Sequence, residues 1–425
     1  MAQRQLRTRM GTLLVTDDGA VVRARGVRYA TAGRFERPEA VRPWSGVVDA
    51  TRRGPVCPQP PSRLGFATGE FTDGMVHSED CLVVTVAAPA GADGLPVLVW
   101  IHGGAYVEGT GECAKYDPVA LAAEAGVVVV NVSYRVGVLG YLAPTQAGGA
   151  DNLGLRDQVL ALRWVRDNIA DFGGDPGNVT AFGQSAGADS VLALMLSEEA
   201  DGLFHRAIMQ SAPLSISQER APLFAAVRAR LTHLAHGAST AEILAAQDEA
   251  VAVAHRFGAF AGMPYGPVLG SAPLPSVAEV PARLADAASR VELLIGHTKH
   301  DASPFVVMSP AGRRLTRLGR SVTRIVSAGA TKQVFADPAH RLADTWASNG
   351  GSVARYRFDR APGFLGAGHC VELPYLLGTP DSWSDSPMMG GKPLDTALAT
   401  RLRRTWGDFA RGGVAALEST NLRFG

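Results

Sequence analysis

The sequence predicts an α/β protein: a mostly parallel, doubly wound sheet carrying a helical insertion. Three observations carry this expectation. Strand-sized apolar runs alternate with longer helical patterns. The order strand, helix, strand recurs, as crossover connections between parallel strands require. Residues 214–290 then break the rhythm with alanine-rich helical text.

Leu95–His102 (LPVLVWIH) and Gly126–Tyr134 (GVVVVNVSY) are apolar on both faces, as strands buried on both sides are. Leu155–Asn168 places Val159, Leu162 and Val165 at i, i+3 and i+6, the spacing of an amphipathic helix. Asn178–Gly183 reads as a short strand ending in glycine, Ala186–Ser197 as the helix leaving it, and Phe204–Ser211 as the next strand. Residues 214–290 read as a helical cap over the top of the sheet. Strands resume at Val291–Gly296 and Val353–Phe358, and Leu394–Phe409 forms a closing helix. At roughly 150 residues per domain the 425 residues would suggest three domains. The continuous strand and helix rhythm instead predicts one large domain over 1–425, with 214–290 as an insertion within it.

Composition removes several function classes. Hydrophobic residues make up 46% and charged residues 19%, too apolar for a disordered chain. The net charge of +1 leaves no electrostatic footprint for nucleic acid. No apolar run approaches the ~18 residues of a membrane span. The basic N-terminus is not followed by an apolar stretch of about 7–15 residues, so no secretory signal is read and a cytoplasmic location is expected. Four cysteines, Cys57, Cys81, Cys113 and Cys370, show neither CxxC nor metal-ligand spacing; no metal and no cofactor are expected.

Gly183-Gln184-Ser185-Ala186-Gly187 is G-x-S-x-G between a predicted strand and a predicted helix. So tight a turn needs glycine on either side of the serine. It lifts the hydroxyl from the carboxyl edge of the sheet and sets the Ala186 N–H at a helix start. Trp100–Tyr106 (WIHGGAY) ends a strand and enters a loop whose two glycines let backbone amides face a cavity. Gly104, Ala105 and Ala186 are assigned as an oxyanion hole, and His102 as a structural residue holding that loop.

A serine hydroxyl needs a base, and histidine has the suitable pKa. In the α/β-hydrolase fold the chain order is nucleophile, acid, histidine. His369, late in the chain and in the glycine-rich loop GAGHC, is the predicted base. Asp301, the carboxylate in the loop following VELLIG, is the predicted acid, orienting the imidazole and stabilising its cation. His297 and His300 are read as loop polar residues.

These motifs, in order, resemble the type-B carboxylesterase family, the cholinesterase-like branch of the α/β-hydrolases that includes bacterial para-nitrobenzyl esterases. The segments carrying the resemblance are RGVRYATAGRFERP from Arg25, SEDCLVVTV, VWIHGGAYVEG, NVSYRVGVLGYL, the long block from Asp151 to Ala188, LFHRAIMQSA, LLIGHTKHDA and GAGHCVELPYLLG. Coverage runs from about residue 20 to 410. The resemblance implies the triad Ser185, Asp301 and His369, and ester hydrolysis through an acyl-enzyme without cofactor.

Departures from the family pattern are informative. The acid is usually glutamate and here is Asp301. The residue before the nucleophile is often glutamate and here is Gln184, which removes a negative charge and weakens any case for a cationic substrate. Glu108 stands where small residues are common; it either borders the substrate channel or faces solvent. Asp189 replaces a small residue without an evident reason. Ser211 matches a serine that supports the triad from behind. The chain is short between Asp301 and His369, which predicts a more open site. Cys57 and Cys81 match the family's disulfide pair, though a cytosolic chain would keep them reduced.

The resulting expectation is a serine carboxylesterase acting on small to medium, uncharged, hydrophobic ester substrates. Two alternatives remain open: the same site used for lactone or carbamate opening or acyl transfer, and a non-catalytic binding module.

Overall fold

A computed structural model describes residues 2–144, 150–216, 220–309 and 320–425, with backbone alone at 320–324. Its centre is a twelve-stranded sheet. The main strands are β1 (Ala2–Thr8), β2 (Gly11–Asp17), β3 (Val21–Arg28), β4 (Val83–Pro89), β5 (Leu95–Ile101), β6 (Val128–Val132), β7 (Gly174–Gln184), β8 (Arg206–Gln210), β9 (Glu292–Thr298), β10 (Val353–Phe358) and β11 (Asn421–Phe424). In space they run β1-β2-β3-β4-β6-β5-β7-β8-β9-β10-β11, and the short strand Val47–Asp49 pairs with β2. Pairs from β1 to β6 are antiparallel. Pairs from β6 through β11 are parallel.

The parallel strands were legible because both their faces are covered. β6 is buried at every residue and β5 at all but its first. The principal helices are α1 (Leu153–Asn168), α2 (Ala186–Leu196), α3 (Ala221–Leu231), α4 (Thr240–Ala254), α5 (Val280–Arg290) and α6 (Thr396–Gly412). Two apolar cores result, one on each face of the sheet. Val99 and Ile101 belong to one, and Leu98 and Trp100 to the other, as alternation along a strand requires. On the second face α6 buries Trp406 against Tyr356 of β10, with ring centroids 5.2 Å apart. Asp395 caps that helix by accepting from the Leu398 N–H.

Three features depart from the sequence reading. β1 to β4 went unassigned; β1 is exposed along most of its length, so no apolar alternation marks it. β7 begins at Gly174, with a register shift against β5 between Gly174 and Val179. Within 214–290, α3 opens at Ala221 and α4 carries a Ser239–Glu242 capping box. α5 lies beside α2 on the flank of the sheet, where Arg283 Nε donates to the Leu196 carbonyl at 3.0 Å. The segment thus also supplies the crossover that the parallel neighbours β8 and β9 demand.

Parallel register sets the site. It places Ile101 of β5 beside Gly183 of β7, and Gln184 of β7 beside Gln210 of β8. Gln210 in turn lies beside Gly296 of β9. The loops bearing residues 102–109, 185 and 301 therefore leave the same edge of the sheet.

Candidate active site

Ser185 sits between β7 and α2 with φ 58° and ψ −125°. A non-glycine residue in such backbone costs on the order of 1–3 kcal/mol and persists only where its surroundings enforce it. Two hydrogen bonds do so: the Ser185 N–H donates to the Gln210 carbonyl at 2.8 Å, and its own carbonyl accepts from the Asp189 N–H at 3.0 Å. Gly187 is required by close approach, because a Cβ there would stand 2.1 Å from the Ile101 carbonyl oxygen.

The loop after β5 passes beside the serine. Gly104 has φ 113° and Ala105 φ 54°. Neither amide donates to a backbone carbonyl among the described residues, whereas the Gly104 carbonyl accepts from Val107 and Glu108. The Ala186 N–H stands at the first turn of α2, where intrahelical acceptors are lacking. His102 is fully buried, stacked on Tyr134 with centroids 4.2 Å apart, and its Nδ1 donates to the Gly103 carbonyl at 2.9 Å. Burial pulls its pKa down to about 4. It is a neutral brace for the loop.

His369 and Asp301 meet although 68 residues separate them. His369 Nδ1 lies 2.5 Å from Asp301 Oδ1, and Asp301 Oδ2 accepts from the Thr298 N–H at 3.0 Å. Both side chains are buried. With Nδ1–H donated to the carboxylate, Nε2 is the ring's remaining nitrogen. In this state Nε2 lies 3.1 Å from Gln184 Nε2, and the Cys370 thiol lies 3.4 Å from Gln184 Oε1. Ser185 Oγ makes no hydrogen bond to the imidazole here. It lines the same cavity as His369, and such contacts commonly tighten only when substrate binds.

That cavity has a volume of about 360 Å³ and is walled mainly by apolar side chains. Phe305 and Phe335 flank the imidazole, with centroids 5.0 and 5.3 Å from the ring. Glu108 borders the cavity rather than bulk solvent. Its carboxyl accepts from Ser62 Oγ at 3.1 Å and from the Arg63 N–H at 2.9 Å. Burial, partly offset by the nearby Arg63 charge, raises its pKa to about 7.

Asp189 now has a physical account. The Tyr106 hydroxyl donates to its carboxylate at 2.7 Å, and Arg220 Nη2 lies 3.6 Å away. Arg220 Nη1 also donates to the Tyr265 carbonyl at 3.2 Å. One buried carboxylate therefore ties the amide-bearing loop to the segment 214–290. Ser211 lies buried behind the site with φ 51°, and its Oγ has no hydrogen-bond partner among the described residues. Cys57 and Cys81 are buried free thiols, not joined.

Sequence reasoning gave Glu372 no role. It is fully buried, accepts from Gln210 Nε2 at 3.5 Å, and has its pKa raised to about 8 by burial and by the Asp301 charge. Arg63, Phe305 and Phe335 also escaped notice, since nothing local in the sequence marks them as cavity residues. The expectation of an open site between Asp301 and His369 falls partly on 310–319, outside the described residues. Among the described residues no helix is long and apolar enough to cross a membrane.

Comparison with known proteins gives the family and the fold. The model of the carboxylesterase family matches residues 5–317. A probable N-octanoylanthranilate hydrolase of Rhodococcus erythropolis is 42% identical over 93% of this chain and 90% of that protein. The para-nitrobenzyl esterase of Bacillus subtilis is 33% identical over 99% of this chain and 92% of its own. Among solved structures, a thermophilic para-nitrobenzyl esterase superposes with a TM-score of 0.78 at 32% identity, covering 98% of this chain and 92% of that one.

Proposed function

The chain belongs to the carboxylesterase family, a carboxylic ester hydrolase of α/β-hydrolase fold, and we propose that Ser185, His369 and Asp301 perform its chemistry on esters with apolar acyl groups. Ser185 Oγ attacks the ester carbonyl while His369 Nε2 takes its proton. The Gln184 amide yields Nε2 to the hydroxyl as substrate enters. Negative charge forming on the carbonyl oxygen is met by the N–H groups of Gly104, Ala105 and Ala186. Each such donor is typically worth about 10²–10³ in rate. His369 returns the proton to the departing alcohol, leaving Ser185 acylated. Water then attacks the acyl-enzyme with His369 again as base, and the acid departs.

The observation carrying this reading is the contact of 2.5 Å between His369 Nδ1 and Asp301 Oδ1, beside a serine held in strained backbone on the same cavity. Asp301 holds the ring in the tautomer that leaves Nε2 basic. Phe305 and Phe335 offer the apolar surface for an acyl chain. The test is an acyl-chain-length series of p-nitrophenyl esters with Ser185→Ala as blank. Turnover should peak at medium chains and vanish in the variant; retained turnover refutes the assignment.

A second reading keeps the site and changes the bond. The relative named a probable N-octanoylanthranilate hydrolase favours cleavage of an N-acyl bond to an aromatic amine. Lactone or carbamate opening and acyl transfer belong to the same class. Comparing octanoyl esters with octanoyl anilides, with and without added alcohol as acceptor, separates these from simple ester hydrolysis.

A further inference from the structure

Arg63 and Glu108 both line the cavity. Glu108 is fully engaged, by the Ser62 hydroxyl and by the backbone N–H of Arg63. The Arg63 guanidinium is not. Nη2 donates to the Gly262 carbonyl at 2.8 Å, while Nε is buried with no hydrogen-bond partner among the described residues. No carboxylate lies within ion-pairing distance of it among the described residues. A guanidinium remains charged under all ordinary conditions. Glu108 is near enough to feel its charge but makes no ion pair with it, so part of its planar fork is left for another carboxylate.

We propose that Arg63 binds a carboxylate carried by the substrate, so that the preferred substrates pair an apolar acyl chain with an acidic remainder. The expected preference for uncharged compounds then holds for the acyl portion alone. This inference rests on the Ser185 esterase reading. Arg63 touches the substrate's remote charge and not its reacting atoms. Its loss should therefore raise KM and leave kcat for neutral esters intact.

The test uses the 2-, 3- and 4-carboxyphenyl octanoates, each against its uncharged methyl ester. Wild-type protein and Arg63→Gln are compared, with Ser185→Ala as blank. For at least one isomer, Arg63→Gln should lower kcat/KM about 10- to 100-fold through KM, the usual scale of a lost charge-assisted bond. The matching methyl ester should change less than about twofold, and Arg63→Lys should restore part of the loss. If charged and uncharged esters fall together, or neither falls for any isomer, Arg63 is merely a brace to Gly262 and the proposal is overturned. Should Arg63→Gln fail to fold, competitive inhibition of phenyl octanoate hydrolysis by the three hydroxybenzoates decides the matter on wild-type protein. Inhibition far stronger than by phenol, and weakened by salt, supports the site; equal inhibition removes it. Ser185-independent hydrolysis of phenyl octanoate would instead refute the esterase reading beneath it.

Discussion

Glu108→Gln should change how stability responds to pH. Glu108 is 8% exposed, and its pKa stands at about 7 against an ordinary 4.5. Its protonated form is thus favoured on folding. Below pH 4.5 both folded and unfolded chains carry the proton, and no penalty exists. As pH rises from 4.5 to about 7 the unfolded chain ionises first, so stability declines; above 7 the loss is complete. At about 1.4 kcal/mol per pH unit this amounts to about 3 kcal/mol. Glutamine cannot ionise and keeps an oxygen for the Ser62 hydroxyl and the Arg63 N–H. For a chain of 425 residues, at roughly 2.1 cal/mol/K per residue, about 3 kcal/mol corresponds to about 3–4 °C in Tm. Tm by scanning calorimetry across pH 4.5–8 should therefore show the variant gaining about 3–4 °C on the wild type between those limits. A difference that stays flat with pH would mean that Glu108 ionises freely, and the account of its burial would be wrong.

Asp301→Asn should leave Tm within a few degrees and cut kcat by roughly 10³–10⁴, the scale seen when a triad acid no longer sets the imidazole tautomer. Circular dichroism and ester hydrolysis check both halves. Glu372→Gln should gain stability over the wild type as pH rises from 4.5 to about 8, because the buried carboxyl is then spared ionisation beside Asp301; a Tm series over that range reads it out. Gly187→Ala should lose about 3 kcal/mol and all activity, since its methyl group would stand 2.1 Å from the Ile101 oxygen. Thermal unfolding and p-nitrophenyl ester turnover measure the two effects.

Much of the site could be read from the chain because its chemistry is local. Ser185 and Ala186 sit in a turn whose glycines announce it, and Gly104 and Ala105 follow an unbroken apolar strand. His369 and Asp301 required a rule of chain order; their Nδ1 and Oδ1 atoms lie 2.5 Å apart. Other features depend on packing between distant segments. Glu108 could face either way until Ser62 and Arg63 were seen to hold it. Asp189 made sense only once Arg220 and Tyr106 closed on it. β1 escaped because an exposed edge strand lacks the apolar run that marks a covered strand. α5 was read with its neighbours as a cap, since periodicity shows a buried face without showing what buries it.

The claim of a serine nucleophile is tested most directly by intact-protein and peptide mass spectrometry after reaction with a fluorophosphonate. A single adduct is predicted, located on Ser185, absent from Ser185→Ala and slowed severely in the variant lacking the base, His369→Ala. An adduct on any other residue, or an unmodified Ser185 in protein that still hydrolyses esters, would contradict the mechanism.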